Sequence, residues 1–205
     1  MTLKTTLIAG LAATAFAIAA PASAKIATGS NVADMTVTDS NGKSHNLSDF
    51  AGKTVVLEWT NKGCPYVKKH YSTNNMQDLQ AEAAADDVVW LSVISSAPGK
   101  QGYMSGEEAN AYYASAEASP TAVVLDPSGE AGRTFAAKTT PHMYVIDASQ
   151  TLVYQGAIDD NRSASPATVS GATNYVREAL TAVKSGSVVA AAETAPYGCS
   201  IKYGS

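Results

Sequence analysis

Two stretches of the chain, residues 54–59 (TVVLEW) and 88–94 (VVWLSVI), are almost continuously apolar and rich in β-branched side chains. Runs that short and that uniform suit strands buried on both faces of a sheet. Alternation marks a different region. Residues 35–39 and 43–47 flank Asn41-Gly42 and predict a hairpin with a tight turn, followed at 48–52 by a single turn. Helical spacing runs from Pro65 to about Ala85, with proline at the first position, where its missing N–H has no partner to lose. Ser105 and Glu108 form a capping-box pattern that opens a helix over 105–118. Residues 121–125 predict a strand closed by the turn chemistry of Asp126-Pro127-Ser128-Gly129, and 130–137 a short helix. Strands at 142–147 and 152–158 sit too close together to be anything but antiparallel neighbours. A helix over 173–185 stops at Gly186, and residues 190–205 show no period.

The order is therefore a hairpin followed by β-α-β-α-β-α-β-β-α. Strands alternating with helices predict an α/β fold: a mixed central sheet, partly parallel, flanked by helices, with an N-terminal β-hairpin extension. The sequence shows no internal repeat.

Composition narrows the class. Apolar residues are 45% and charged residues 16% of 205, which fits one globular domain with a substantial core. A net charge of −4 without a basic stripe argues against nucleic acid as a partner. The first residues combine Lys4, an apolar run over 7–20 and the small-residue triplet Ala22-Ser23-Ala24. That pattern predicts a signal peptide over 1–24, a domain over 25–189 and a C-terminal tail over 190–205. The run is short for a bilayer span, so no stable membrane insertion is expected after cleavage. The expected location is secreted or periplasmic, where disulfides persist.

Chemistry is concentrated at the two cysteines, Cys64 and Cys199. Cys64 stands at the carboxyl end of a predicted buried strand and opens a helix, a place where sites form in open α/β sheets. The helix N-terminus favours a thiolate, and Lys62 and Lys68 are expected to favour it further, Lys68 from one turn along the same helical face. A thiolate attacks disulfides and peroxides. The alternative is a buried or disulfide-locked cysteine. Glu58 lies on the strand that leads to Cys64; burial would raise its pKa and suit it to carry protons. Thr139-Thr140-Pro141 precedes a strand and is a candidate cis turn whose free backbone groups would receive an extended substrate.

The strand-Cys-Pro-helix arrangement, the later Thr-Pro-x-x-Tyr-Val-Ile-Asp at 140–147 and the ββα ending together resemble the thioredoxin-like superfamily. The hairpin with Asp39-Ser-Asn-Gly-Lys43 and Leu47-Ser-Asp-Phe50 is similar to the redoxin branch, the alkyl hydroperoxide reductase and thiol-specific antioxidant proteins. Cys64-Pro-Tyr-Val-Lys-Lys-His70 resembles a peroxiredoxin-like subgroup with a Cys-Pro-Tyr-Val-Lys motif. The resemblance spans roughly residues 30–185. It implies a thioredoxin-like fold and a thiol-based oxidoreductase, with Cys64 as the attacking cysteine. Pro141 then takes the cis-proline position and Glu58 that of the buried acid. Two departures stand out. Val67 occupies the place of a second, neighbouring cysteine, so a local dithiol cycle is impossible. Asn61 stands where typical peroxiredoxins have threonine, and no arginine lies near 141; Thr60 and Arg133 are the candidate substitutes.

Cys199, in Pro196-Tyr197-Gly198-Cys199, is then the candidate resolving cysteine, or else one half of a structural bridge to Cys64. The expected activity is reduction of a hydroperoxide, recycled by an unidentified thiol reductant. The alternatives are thiol–disulfide exchange with protein substrates and a redox-inert binding module held by a Cys64–Cys199 bond. Thr140, Pro141 and Lys68 are the candidate substrate-binding residues. His70 and His142 with the cysteines give poor ligand spacing, so no metal is expected, and no motif calls for an organic cofactor.

Overall fold

A computed structural model describes residues 25–204; the predicted signal peptide, 1–24, lies outside them. The hairpin forms as β1 (Thr36–Asp39) and β2 (Ser44–Asn46), turned at Asn41-Gly42 with Gly42 at φ +80°. Asp39 makes that turn rigid: its carboxylate accepts the N–H groups of Asn41 and Lys43. The two apolar runs become β3 (Val55–Trp59) and β4 (Val89–Ile94), parallel neighbours with every residue buried. Next come β5 (Ala122–Leu125), the two-residue β6 (Thr139–Thr140), β7 (His142–Ile146) and β8 (Leu152–Gly156).

The seven-stranded sheet runs β2-β1-β5-β4-β3-β7-β8. β3, β4 and β5 are parallel; β7 and β8 join antiparallel on one side and the hairpin on the other. This is the mixed sheet the element order predicts, with β3 near the middle.

Helices cover both faces. Along β3, Val56 packs on one side with Val67, Met76, Leu79, Tyr113 and Val176, while Val55, Leu57 and Trp59 face Phe135, Ala131 and Tyr144 on the other. The period-two alternation of a strand is therefore present even though both faces are apolar. The helices are α1 (Pro65–Tyr71), α2 (Asn75–Ala85), α3 (Gly106–Ser115), α4 (Glu130–Thr134) and α5 (Tyr175–Lys184). The capping box of Ser105 and Glu108 is present at α3. Among the described residues no helix is long and apolar enough to cross a membrane.

The single helix expected from 65 to 85 is two. The Thr73 hydroxyl bonds back to the carbonyls of Lys69 and His70, and Asn74 adopts a left-handed φ of 61°. Local side-chain bonding of this kind competes with continued helix, and Asn tolerates the left-handed turn that ends it. The tail is not irregular throughout either. Cys199–Ser200 forms β9, which pairs antiparallel with β6.

Candidate active site

Cys64 is placed by a short loop after β3. The Asn61 side chain organises that loop, accepting the Gly63 N–H at 2.9 Å and reaching Gln101 through its amide. Cys64 is the N-cap of α1, extended at φ −77°, ψ 125°, with its carbonyl accepting the Lys68 N–H at 2.9 Å. Its side chain is completely buried.

The core lies behind Cys64 and the tail packs against its sulfur. Thr140 pairs with Cys199, and Thr139 with Ser200, across the β6–β9 ladder. The Thr140–Pro141 peptide bond is cis, and the Thr140 carbonyl lies 3.1 Å from Cys64 Sγ. On the other side stands Cys199 Sγ, 2.7 Å away. Both cysteines are free thiols. The separation is longer than the 2.03–2.05 Å of a disulfide and shorter than ordinary packing of sulfur atoms. Gly198 allows this approach: at φ +129°, a Cβ there would stand 2.1 Å from the Thr140 oxygen. The backbone edge expected to receive a substrate strand is thus occupied by the chain's own tail.

The two thiols differ in acidity. Burial works against a Cys64 thiolate. Hydrogen bonds from the Cys199 thiol, the Thr140 side chain and the backbone N–H groups of Val67 and Cys199 outweigh it, holding Cys64 below the ordinary thiol value. Cys199 is pushed up to about 11, by burial first and then by Cys64 as acceptor and neighbouring charge. Cys64 is accordingly the member that ionises, and Cys199 the one that keeps its proton.

Several expectations are revised. Lys68 is exposed, and neither it nor Lys62 is among the leading groups that stabilise the Cys64 thiolate. The reason is geometric: an N-cap residue has left the helical screw, so Cys64 does not share a face with the residue four positions on. Glu58 is fully buried, and its carboxylate accepts from Tyr71 at 2.9 Å, Trp90 at 2.9 Å and Ser92 at 2.8 Å. Burial raises its pKa, as expected, but neither cysteine is among its partners. Arg133 is turned away, bonding the carbonyls of Ser128 and Gly204 and lying over the Tyr203 ring, and Thr60 is buried on the side of Glu58. His142 bonds Tyr144 and the Lys138 N–H through its Nδ1. Among the described residues no group of three His, Cys, Asp or Glu is placed to hold a metal.

Sequence reasoning misses two features. One is the tail's docking, for which the only cue is the Pro-Tyr-Gly turn before Cys199. The other is the buried lysine Lys69, since lysine on a helix is ordinarily a solvated residue and nothing in the pattern marks this one.

Residues 27–176 match the Redoxin family. No curated protein matches the chain. Among solved structures, a hypothetical protein of Sinorhizobium meliloti is 21% identical over 89% of this chain and 97% of its own, with a TM-score of 0.74. An uncharacterized conserved protein of Geobacillus kaustophilus is also 21% identical, over 87% and 93%, with the same TM-score of 0.74. The thioredoxin domain of a thiol-disulfide oxidoreductase from Bacteroides vulgatus is 20% identical over 72% and 98%, with a TM-score of 0.50. These likenesses establish the thioredoxin-like fold.

Proposed function

We propose that this chain, which belongs to the Redoxin family and is a thiol-based oxidoreductase, works through Cys64 and Cys199 as one redox couple, with disulfides as its substrates. The observation that carries the proposal is the 2.7 Å between the two sulfurs, held by the Thr140–Cys199 pairing. Cys64 thiolate attacks one sulfur of the substrate disulfide. The other sulfur leaves as a thiolate, and a mixed disulfide stands on Cys64. Cys199 then attacks Cys64 Sγ, gives up its proton to the departing thiolate and closes Cys64–Cys199. The substrate gains two electrons, and an external thiol returns the couple to its reduced state. Cys199 must step aside for the first attack, because it covers Cys64.

Redoxin membership favours a second oxidant, a hydroperoxide. Attack by Cys64 on the peroxide would leave a sulfenic acid and an alcohol or water, and condensation with Cys199 would release water. The surroundings of Cys64 support disulfide exchange better. A strand-pairing edge lies beside the thiol, while Arg133 is turned away from it and the Asn61 side chain bonds Gly63 and Gln101. Export through the 1–24 leader belongs to the same proposal, since an oxidising compartment supplies disulfides.

The test uses oxidised glutathione. The Cys199→Ser chain should accumulate one glutathionyl adduct on Cys64, whereas the parent chain passes through that adduct to an internal disulfide. A Cys64→Ser chain that reacts as readily through Cys199 would overturn the assignment of roles.

A further inference from the structure

Lys69 on α1 is 1% exposed, although an isolated buried ammonium is among the costliest groups a fold can hold. It is met by Asp159 Oδ2 at 3.1 Å and by the Asn161 carbonyl at 2.9 Å, both just after β8. The third partner comes from the tail. The Tyr197 hydroxyl donates to Asp159 Oδ1, lies 3.5 Å from Lys69 Nζ and stands 3.4 Å from His70 Nε2. His70 is itself fixed from behind by the Asn75 amide at 2.9 Å. The Tyr197 ring packs edge-on against Tyr66, two residues from Cys64.

Thiol exchange makes no use of this cluster. Tyr197 is nevertheless two residues before Cys199, and Tyr66 and Lys69 belong to the helix that Cys64 caps. The cluster therefore ties the tail to that helix, two residues before Cys199. Withdrawal of the tail removes a donor from a buried carboxylate, a loss that costs more than a broken neutral bond.

We infer that Tyr197 is the positioning residue of the resolving step: its hydroxyl, seated between Lys69, Asp159 and His70, holds Cys199 against Cys64, and its release uncovers Cys64 for substrate. The inference rests on the two-thiol reading and adds to it a latch with a defined receptor.

The test separates the two. Reduced chain is mixed with one equivalent of dithiobis-nitrobenzoate, and release of the coloured aryl thiolate is followed by stopped flow. The first aryl thiolate leaves when Cys64 attacks the reagent, the second when Cys199 attacks Cys64. Tyr197→Phe should slow the second phase about tenfold or more, the loss expected for one hydrogen bond to a charged group, and leave the first phase equal or faster. Tyr203→Phe, which removes a neutral 2.8 Å bond to the Ala137 carbonyl at the far end of the tail, should slow closure less. Should Tyr197→Phe not fold, Asp159→Asn keeps the side chain's volume and should slow the second phase in the same way. In whichever variant folds, closure at the parent rate overturns the latch, as does an equal loss in Tyr203→Phe. Absence of a second phase in the parent chain overturns instead the two-thiol reading on which the latch rests.

Discussion

Thr140 and Cys199 face each other across a two-residue antiparallel ladder, so that the backbone beside the cis proline pairs with the tail that carries the second thiol. The pairing explains how cysteines 135 positions apart in sequence come to touch. β3 and α1 fix Cys64 from one side, and β6 offers an unpaired edge next to it. The tail supplies the strand that edge needs. The ladder continues outward through the Ile201 N–H to Lys138 O, and the Ala97 N–H bonds the Lys202 carbonyl. Four consequences are open to measurement before the central one.

Gly198 is the point at which the ladder is most easily broken. Any Cβ there meets the Thr140 oxygen at 2.1 Å, and the backbone sits at φ +129°. Gly198→Ala should lift the tail and shift the Cys64–Cys199 equilibrium toward the dithiol by about tenfold, the equivalent of roughly 1–3 kcal/mol of backbone strain. Mass spectrometry of the chain across a series of glutathione buffers reads that shift. An oxidation curve that overlays the parent's would show that Gly198 does not hold the tail in place.

Cys64 owes much of its acidity to Cys199. In the parent chain it should titrate below the ordinary thiol value. Cys199→Ala deletes the leading stabilising donor and should raise that titration, visible as a shift in the pH dependence of alkylation. No shift would mean that the helix N-terminus alone sets the thiolate.

Glu58 is a packing acid rather than a partner of the thiols. Glu58→Ala strands the donors of Tyr71, Trp90 and Ser92 in a dry interior and should cost roughly 3 kcal/mol or more in denaturant melts. Glu58→Gln should cost less, and alkylation of Cys64 in that variant should proceed at the parent rate. A large drop in Cys64 reactivity with the fold intact would restore Glu58 to the chemistry.

Acid should loosen the fold before any carboxylate with an ordinary or lowered pKa titrates. Burial holds His70 near pKa 4 and His142 near 3, against 6.5 for an exposed imidazole. Between those values the unfolded chain binds the protons and the folded chain does not. The two groups' stabilisation is therefore complete above pH 6.5 and lost as pH falls toward 4, at about 1.4 kcal/mol per unit each. Glu58, whose pKa is raised, acts with the opposite sign, leaving two imidazoles against one carboxyl. Melting temperature should fall from pH 6.5 to 4; a flat or rising profile contradicts this.

Much of the scaffold is legible in the sequence because its signals are local. The continuous apolar runs of β3 and β4, Asn41-Gly42 and the Ser105–Glu108 box each specify an element with nearby residues alone. Cys64 is legible for the same reason: a cysteine and a proline at a strand-to-helix junction. What escapes depends on contacts distant in sequence. Lys68 looks like the neighbour of Cys64 only on a continuous helical screw, which an N-cap residue does not follow. Lys69 is buried because Asp159 and Tyr197 arrive from elsewhere. The tail has no period of its own, and its order comes from β6, Thr140 and the Lys69 cluster.

The central claim is that Cys64 and Cys199 act as one couple, and the most direct measurement is the rate at which they join. Reduced chain is mixed with oxidised glutathione and, in parallel, with hydrogen peroxide, quenched at intervals and weighed intact. We expect a two-hydrogen mass loss localised to Cys64–Cys199, reached with glutathione disulfide far faster than a free thiol reacts. Oxidation no faster than free cysteine, or a glutathione adduct that persists on Cys64 while Cys199 stays reduced, would contradict it.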